Sequence, residues 1–332
     1  MTAPLGLAAP ASADALDALA GRLRAHPSIR SKLAIAGATG ALGLSAAAPG
    51  RPGDDAAVLP RDDGYDLLAG EGFIPAFVAD DPWFAGWCAV MVNLSDIAAM
   101  GGRATALVDQ VWAPDAAAAA PLLQGMRDAS AAYGVPLVGG HTNFAAPSLS
   151  LAVSVLGRAA AIISSFDARP GDRLVAVHDP RGAYRNFDNF CAALDAPAAR
   201  LRADLEILPE LAEAGLVRAG KDISQGGIAG TALMLAECSG VGIEIDLPAV
   251  APPPGVDRER WLRTFPSFGF LLAVAPDAAP SVIDRFAAQS LDAADIGEVV
   301  PGAAVALRDA GRRAVFWDHA AAPYLDLRDD DA

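Results

Sequence analysis

The sequence predicts an α/β fold built as two successive halves. Strand-like and helix-like runs alternate from Tyr65 onward. A turn-rich break at Ala168-Arg169-Pro170-Gly171-Asp172 separates a first series from a second. Hydrophobic residues make up 53% of the 332-residue chain, enough to fill the cores of two domains of ordinary size. The chain divides on this basis into a lead-in over 1–50, a first domain over 51–165 and a second over 166–332.

The lead-in holds a short helix over 13–25, then Gly37-Ala38-Thr39-Gly40-Ala41-Leu42-Gly43, which reads as a glycine-rich loop. It lacks the Gly-Lys-Ser/Thr ending of a P-loop, so a plain connector explains it as well as a phosphate cradle does. Residues 65–69 read as a strand. Asp80 or Asp81 caps a helix with Pro82 at its first position, and Gly101-Gly102 stops that helix after Met100. Strict alternation over 105–112 predicts a strand, 116–133 a helix, 135–138 a short strand and 149–156 another strand. In the second half, residues 173–178 and 270–274 read as strands. Helices are expected over 198–214, where Leu201, Leu205, Leu208 and Leu211 share a face, and over 228–239 and 279–288.

Composition excludes several classes of partner. The net charge of −15 argues against nucleic acid or an anionic membrane surface. It leaves room for ATP, because metals and backbone N–H groups bind phosphate even on an acidic protein. Cys88, Cys191 and Cys238 are too far apart in sequence to form a metal-spaced pair, and their number gives no even disulfide framework. A reducing cytoplasm is the expected location. No apolar run reaches the roughly 18 residues that span a bilayer, and Asp14 and Asp17 interrupt the early alanines, so no signal peptide is expected.

The chemistry is carried by acids. Asp54 and Asp55 follow Gly53, just before the apolar run Ala56-Ala57-Val58-Leu59; taken alone, a turn explains them. Asp96 lies on a helix whose Ala85, Ala89, Val92 and Met100 form one apolar face, and Asn93 reaches the same side from one turn earlier. A carboxylate on that face is costly unless it is paired or bound to a cation, or caps a neighbouring loop. Two unit charges about 4 Å apart repel by about 4 kcal/mol at an effective dielectric near 20. A divalent metal carrying a polyphosphate turns that repulsion into binding. Asp222-Ile223-Ser224-Gln225-Gly226-Gly227 precedes a helix, and its glycines let phosphate oxygens approach backbone N–H groups. Gly139-Gly140-His141-Thr142 ends a short strand, a usual ligand position in α/β folds. His141 reads either as a phosphate contact or acid–base group, or as a structural histidine.

The order and spacing of these motifs resemble the superfamily of aminoimidazole ribonucleotide synthetase, thiamine-monophosphate kinase, selenophosphate synthetase and the hydrogenase-maturation dehydratase. The resemblance covers residues 53–246. Residues 53–59 and 93–102 look most like thiamine-monophosphate kinase, and Arg169-Pro170-Gly171-Asp172 fits the start of that family's second domain. The resemblance implies two α/β domains per chain, the first pairing with a second copy to form a shared β-barrel in a homodimer. It implies ATP and Mg²⁺ in the cleft, with Asp54, Asp55, Asp96 and Asp222 holding metal and Glu71 as a further acid. Nucleotide contacts carried over fall on Gly53, Asn93, Ser95, Gly139, Gly140, Thr142, Ser224, Gln225, Gly226 and Gly227. Catalytic roles fall on Asp54, Asp96, Asp222 and His141.

The implied reaction is phosphoryl transfer from ATP to a small-molecule acceptor, with thiamine-monophosphate kinase the nearest named activity. A synthetase forming a C–N bond is one alternative; a non-catalytic nucleotide-binding module serving a partner protein is another. Two positions depart from the kinase pattern. Gly-Gly-Asp-Thr becomes Gly139-Gly140-His141-Thr142, and Asp-Ile-Ser-Asp-Gly becomes Asp222-Ile223-Ser224-Gln225-Gly226. Each change removes a carboxylate. The combination is similar to a synthetase-related branch of the superfamily.

Overall fold

The computed structural model describes residues 13–327, apart from 46, 49 and 186. The lead-in is helical: α1 (Ala13–Ala25), α2 (Pro27–Arg30), a 3-10 turn over Ser31–Ala34 and α3 (Ile35–Ala41). The stretch expected to be a glycine-rich loop is therefore mostly helix. A Cβ on Gly37 or Gly40 would meet nothing, and Ala36, Ala38 and Ala41 beside them are of the strongest helix-forming type.

The first half contains β1 (Ala57–Arg61), β2 (Gly64–Gly72), α4 (Pro75–Asp80), α5 (Pro82–Ala99), β3 (Arg103–Trp112), α6 (Ala116–Tyr133), β4 (Leu137–Asn143) and β5 (Ser150–Ala159). Its strands form one sheet in the order β1-β2-β5-β3-β4. All neighbours are antiparallel except β3 and β4. Period-two alternation splits the sheet's faces. Leu67, Leu107, Val111, Val153 and Val155 are buried in the same core as α5. Leu68, Trp112 and Leu156 emerge on the other face and stay exposed.

The second half contains β6 (Arg173–His178), β7 (Ala183–Tyr184), β8 (Asn189–Cys191), α7 (Ala198–Glu213), β9 (Ala219–Asp222), α8 (Gly227–Ser239) and β10 (Gly242–Asp246). It continues through α9 (Arg258–Trp261), β11 (Phe265–Pro266), β12 (Gly269–Val274), α10 (Ala279–Ala287), β13 (Asp292–Val300), β14 (Ala304–Asp309) and β15 (Arg312–Asp318). Seven of these strands form a sheet in the order β15-β14-β10-β13-β6-β12-β9, and β11-β8-β7 form a small separate one.

Helix α5 is the axis of the first half. The Asp81 carboxylate accepts the Phe84 N–H at 3.1 Å, with Pro82 at the first position, as the sequence indicates. Gly101 ends the helix with φ +74°. Every residue from Phe84 through Ala99 is buried. One flank packs on the sheet and another meets α6 in direct backbone contact. A Cβ on Gly86 would lie 2.1 Å from the Leu122 carbonyl oxygen, and one on Gly125 would lie 1.9 Å from that of Trp83. Glycine is required at both positions. Among the described residues, no helix is long and apolar enough to cross a membrane.

Candidate functional site

A cavity of about 810 Å³, within the roughly 300–1,000 Å³ range of small-molecule sites, lies where the lead-in and the two halves meet. Its acidic end brings together most of the acids singled out in the sequence. Asp54 and Asp55 arrive on the segment ahead of β1, Glu71 at the end of β2, Asp96 in the last turns of α5 and Asp222 at the end of β9. Ser224 and Gln225 follow on the loop into α8, and Gly53 completes the wall. Gly53 has φ +117°, and a Cβ there would press on Cys238 and Phe166 at 2.9 Å each. Only glycine lets the Asp54-Asp55 pair approach β9 this closely.

The two adjacent aspartates do different work. Asp54 turns toward the segment between β5 and β6, where its carboxylate accepts the Ser164 hydroxyl at 3.0 Å and the Ser165 backbone N–H. Asp55 pairs with Lys221 in a buried ion pair and accepts the Asp222 backbone N–H at 3.0 Å. Lys221 also donates to the Gly53 carbonyl at 2.9 Å and the Ser165 hydroxyl at 3.3 Å. The site therefore contains a cross-link between its first acids and β9, with Asp96, Asp222 and Glu71 left without a paired cation of that quality.

Electrostatics follow from this imbalance. Burial, then the neighbouring Asp222, Glu71 and Asp55 charges, pushes the Asp96 carboxyl well above the usual carboxylate range. Burial and Asp55 push Asp222 up to about 8, against the pull of Lys221. Glu71 opens to the cavity, yet desolvation raises it too, opposed by Lys32. Burial likewise raises Asp54, against the Ser165 hydrogen bond. Burial opposes the Lys221 charge, but Asp55 outweighs it and the ammonium is held more firmly than usual. Lys32 reaches in from the 3-10 turn and donates to the Ser224 hydroxyl at 3.3 Å. Desolvation lowers its pKa, while Asp222 acts to raise it.

The donor set suits a hard divalent cation. Among the described residues no three His, Cys, Asp or Glu side chains stand close enough to cage a metal by themselves. Mg²⁺ takes one or two carboxylates and completes its shell with water and substrate phosphates.

Other sequence-predicted residues lie elsewhere. Gly139, Gly140, His141 and Thr142 are inside β4, not at its end, and are exposed. His141 pairs with Gln110, which places it on the same outer sheet face as Trp112 and Leu156, away from α5. Gly226 and Gly227 do not line the cavity. Their small size serves packing: a Cβ on Gly227 would stand 2.5 Å from the Arg263 backbone. Asn93 and Ser95 are buried in α5; the Asn93 amide donates to the Ala89 carbonyl at 2.8 Å, and its Oδ1 has no partner. The sequence also offers Arg181, Arg185 and Asn186 in a polar loop after β6 as candidate contacts of a second substrate, with a solvated face the plainer reading; Asn186 lies outside the described residues. The sequence reading missed Lys32, Lys221 and an aromatic wall formed by Phe73, Phe77, Phe84, Phe187 and Phe265. Lys221 was detectable as a charge placed directly before Asp222.

The raised acids predict how the metal-free protein responds to pH. The unfolded chain loses these protons near pH 4, whereas the folded site keeps them to higher pH, near 8 for Asp222. The folded state thus binds more protons in this window, and stability falls as pH rises through it. With EDTA present, the thermal midpoint should fall between pH 5 and pH 8 by roughly 2 °C or more relative to Asp222→Asn. Parallel pH profiles for the two proteins would contradict this electrostatic picture.

Models of two domains of one family match this chain. The AIR synthase related protein N-terminal domain matches residues 53–159, and the AIR synthase related protein C-terminal domain matches residues 193–310. Uncharacterized protein sll0787 of Synechocystis sp. is 47% identical over 270 residues, covering 81% of this chain and 84% of its own. A thiamine-monophosphate kinase of Synechococcus elongatus is 28% identical, covering 80% of this chain and 88% of its own. In three dimensions, the PurL of T. maritima complexed with ADP superposes with a TM-score of 0.70 at 19% identity, over 84% of this chain. The chain spans 47% of the length of that structure, which shares its two-domain α/β fold. The chain belongs to the AIR synthase related family.

Proposed function

We propose that this protein transfers the γ-phosphoryl group of ATP, with Mg²⁺, to a small-molecule acceptor. The observation that carries this reading is the gathering of Asp55, Asp96, Asp222 and Glu71 at one end of the cavity, where burial and mutual repulsion hold Asp96 and Asp222 above their usual pKa. Bound Mg²⁺ would offset that repulsion and neutralise the phosphates. Mg²⁺ would be held by one or two carboxylates at a time from the set Asp96, Asp222, Asp55 and Glu71, with water and phosphate oxygens completing its shell. Asp54 acts at one remove, by fixing the segment that carries Asp55. Lys32 stands beside Ser224 at the same end and offers ammonium protons to phosphoryl oxygens. In the overall reaction an acceptor oxygen or nitrogen forms the bond to γ-phosphorus. The bond to the β–γ bridging oxygen breaks, its electron pair leaves with ADP, and the acceptor's proton passes to solvent.

The named activity this reading comes nearest is that of the thiamine-monophosphate kinase relative. A C–N bond-forming synthetase uses the same phosphoryl step and is the second reading, supported by the likeness to PurL. The third is a nucleotide-binding module without turnover, motivated by the missing acids at His141 and Gln225. Incubation with [γ-³²P]ATP, Mg²⁺ and candidate acceptors, beginning with thiamine monophosphate, separates them. Transfer of label to an acceptor, lowered about tenfold or more in Lys32→Met, is expected for a phosphoryl-contacting cation. Nucleotide binding with no turnover across all acceptors would leave only the module reading.

We further propose that residues 51–165 form the nucleotide-binding and dimerisation domain and residues 166–332 the second α/β domain, in a cytoplasmic homodimer. Leu68 and Leu156 lie directly opposite one another on the outer face of the five-stranded sheet and are 48% and 42% exposed. Trp112 extends the same face, and Val138 on the edge strand is 63% exposed. A second copy laid on this face accounts for such an apolar surface. It also brings His141 into the interface, not into the cavity of its own chain. Light scattering should report a dimer, and Leu156→Glu should shift it to monomer; a monomeric wild type would sink the proposal.

A further inference from the structure

The cavity has a second end, and its chemistry differs from the first. Phe73 stacks with Phe77 at 6.2 Å, Phe77 meets Phe84 edge-on at 5.8 Å and Phe187 at 5.9 Å. Met91, from the same face of α5 as Phe84, joins this wall. The rings come from both halves of the molecule, since Phe187 lies between β7 and β8. Phe187 is 61% exposed and held at φ +56°. A bulky residue rarely adopts that backbone conformation, and the surroundings must impose it. A strained, open aromatic ring at a cavity wall is an arrangement that an apolar occupant explains.

Charge at this end points the same way. Arg263 is the one cation on the cavity wall outside the acidic end among the described residues; it is held by Asp188 at 2.5 Å, a carboxylate that Arg260 also contacts at 3.0 Å. Arg185, which approaches the Phe84 ring from behind, is paired with Asp81 at 2.6 Å. At the acidic end, Lys221 is committed to Asp55. Among the described residues, every cation near the phenylalanine end already rests on a carboxylate, so a phosphate on the acceptor would have to compete with Asp188 or Asp81 for it. A phosphate there would be desolvated beside apolar rings and only partly compensated.

We propose that the phenylalanine end binds the acceptor, and that the acceptor is an aromatic or apolar-bodied small molecule without a phosphate group. Its hydroxyl or amine points toward the acidic end. This rests on the phosphoryl-transfer reading above and narrows it, setting thiamine monophosphate aside in favour of unphosphorylated acceptors. The size of the cavity leaves room for such a body beside the polyphosphate.

The neutral fluorophore N-phenyl-1-naphthylamine, titrated into the full chain, tests this directly. Saturable one-to-one binding that persists in saturating Mg²⁺ and AMPPCP is expected. Phe187→Ala, which removes an exposed ring and leaves the core intact, should weaken it about fivefold or more, and Phe77→Ala likewise. 2-Phenylethanol should displace the probe, and 2-phenylethyl phosphate should do so at least about tenfold less well, reflecting an only partly compensated phosphate. Competition between AMPPCP and the probe would show that the rings hold the nucleobase, and would overturn the proposal. So would absence of saturable binding, or preference for the phosphate ester. Probe binding in a protein that binds no Mg²⁺·AMPPCP would overturn the acceptor role and the phosphoryl-transfer reading together. Failure of the probe alone, with nucleotide binding intact, would leave that reading standing.

Discussion

The Lys221–Asp55 ion pair is the contact around which the site is organised. It joins the segment ahead of β1 to the end of β9, and Lys221 extends the joint through the Gly53 carbonyl and the Ser165 hydroxyl. A buried pair of this kind adds little net stability when both charges must be desolvated, but removing one partner leaves the other uncompensated. Its consequence here is positional. Asp55 is held next to the Asp222 backbone, and the acidic residues of both halves are forced to face one another. The repulsion among Asp96, Asp222 and Glu71 is the product of that arrangement. It persists because α5 is fixed on both flanks, by the sheet and by the glycine crossing with α6.

The lead-in completes the cavity from a third direction. Ile29 is fully buried against the second half, and its carbonyl accepts the Tyr324 hydroxyl at 2.7 Å. His26 contacts Arg263 at 3.1 Å, and Lys32 reaches Ser224. The C-terminal stretch is fastened in turn, with the Glu237 carboxylate accepting the Tyr324 backbone N–H at 2.7 Å and that of Leu325. Leu325 and Leu327 then become part of the cavity wall. Segments remote in sequence thus converge on one volume whose acidic and aromatic ends suit different chemistry.

Much of this was legible in the sequence where local rules decide. The limits of α5 follow from Asp81, Pro82 and Gly101, and an acid on the apolar face of that helix marked Asp96 as unusual. Asp54 and Asp55 were visible as acids after a glycine, and Asp222 as an acid opening a glycine-containing loop before a helix. Tertiary placement decided the rest. Lys32 meets Ser224 only because the lead-in docks on the second half, which no periodicity reveals. The aromatic wall draws on rings more than a hundred residues apart. Gly226 and Gly227 carry a phosphate-loop pattern, yet the backbone of Leu262 and Arg263 occupies the space beside Gly227, and Ile29 and Ser28 of the lead-in stand against Gly226. Strand β4 runs through Gly139-Gly140-His141-Thr142 because its parallel register with β3 continues to Asn143, which a two-glycine stretch does not advertise.

The central claim is that the carboxylates of α5, β9 and the segment ahead of β1 bind a nucleotide polyphosphate through a divalent cation. Calorimetric titration of the full chain with AMPPCP, with Mg²⁺ and then with EDTA, on wild type and Asp96→Asn, tests it most directly. The account predicts binding in Mg²⁺ that weakens about tenfold or more both in EDTA and in the variant, the scale expected from losing a metal ligand. Equal affinity with and without Mg²⁺, unchanged by Asp96→Asn, would contradict it and leave the buried acids without a cation to explain them.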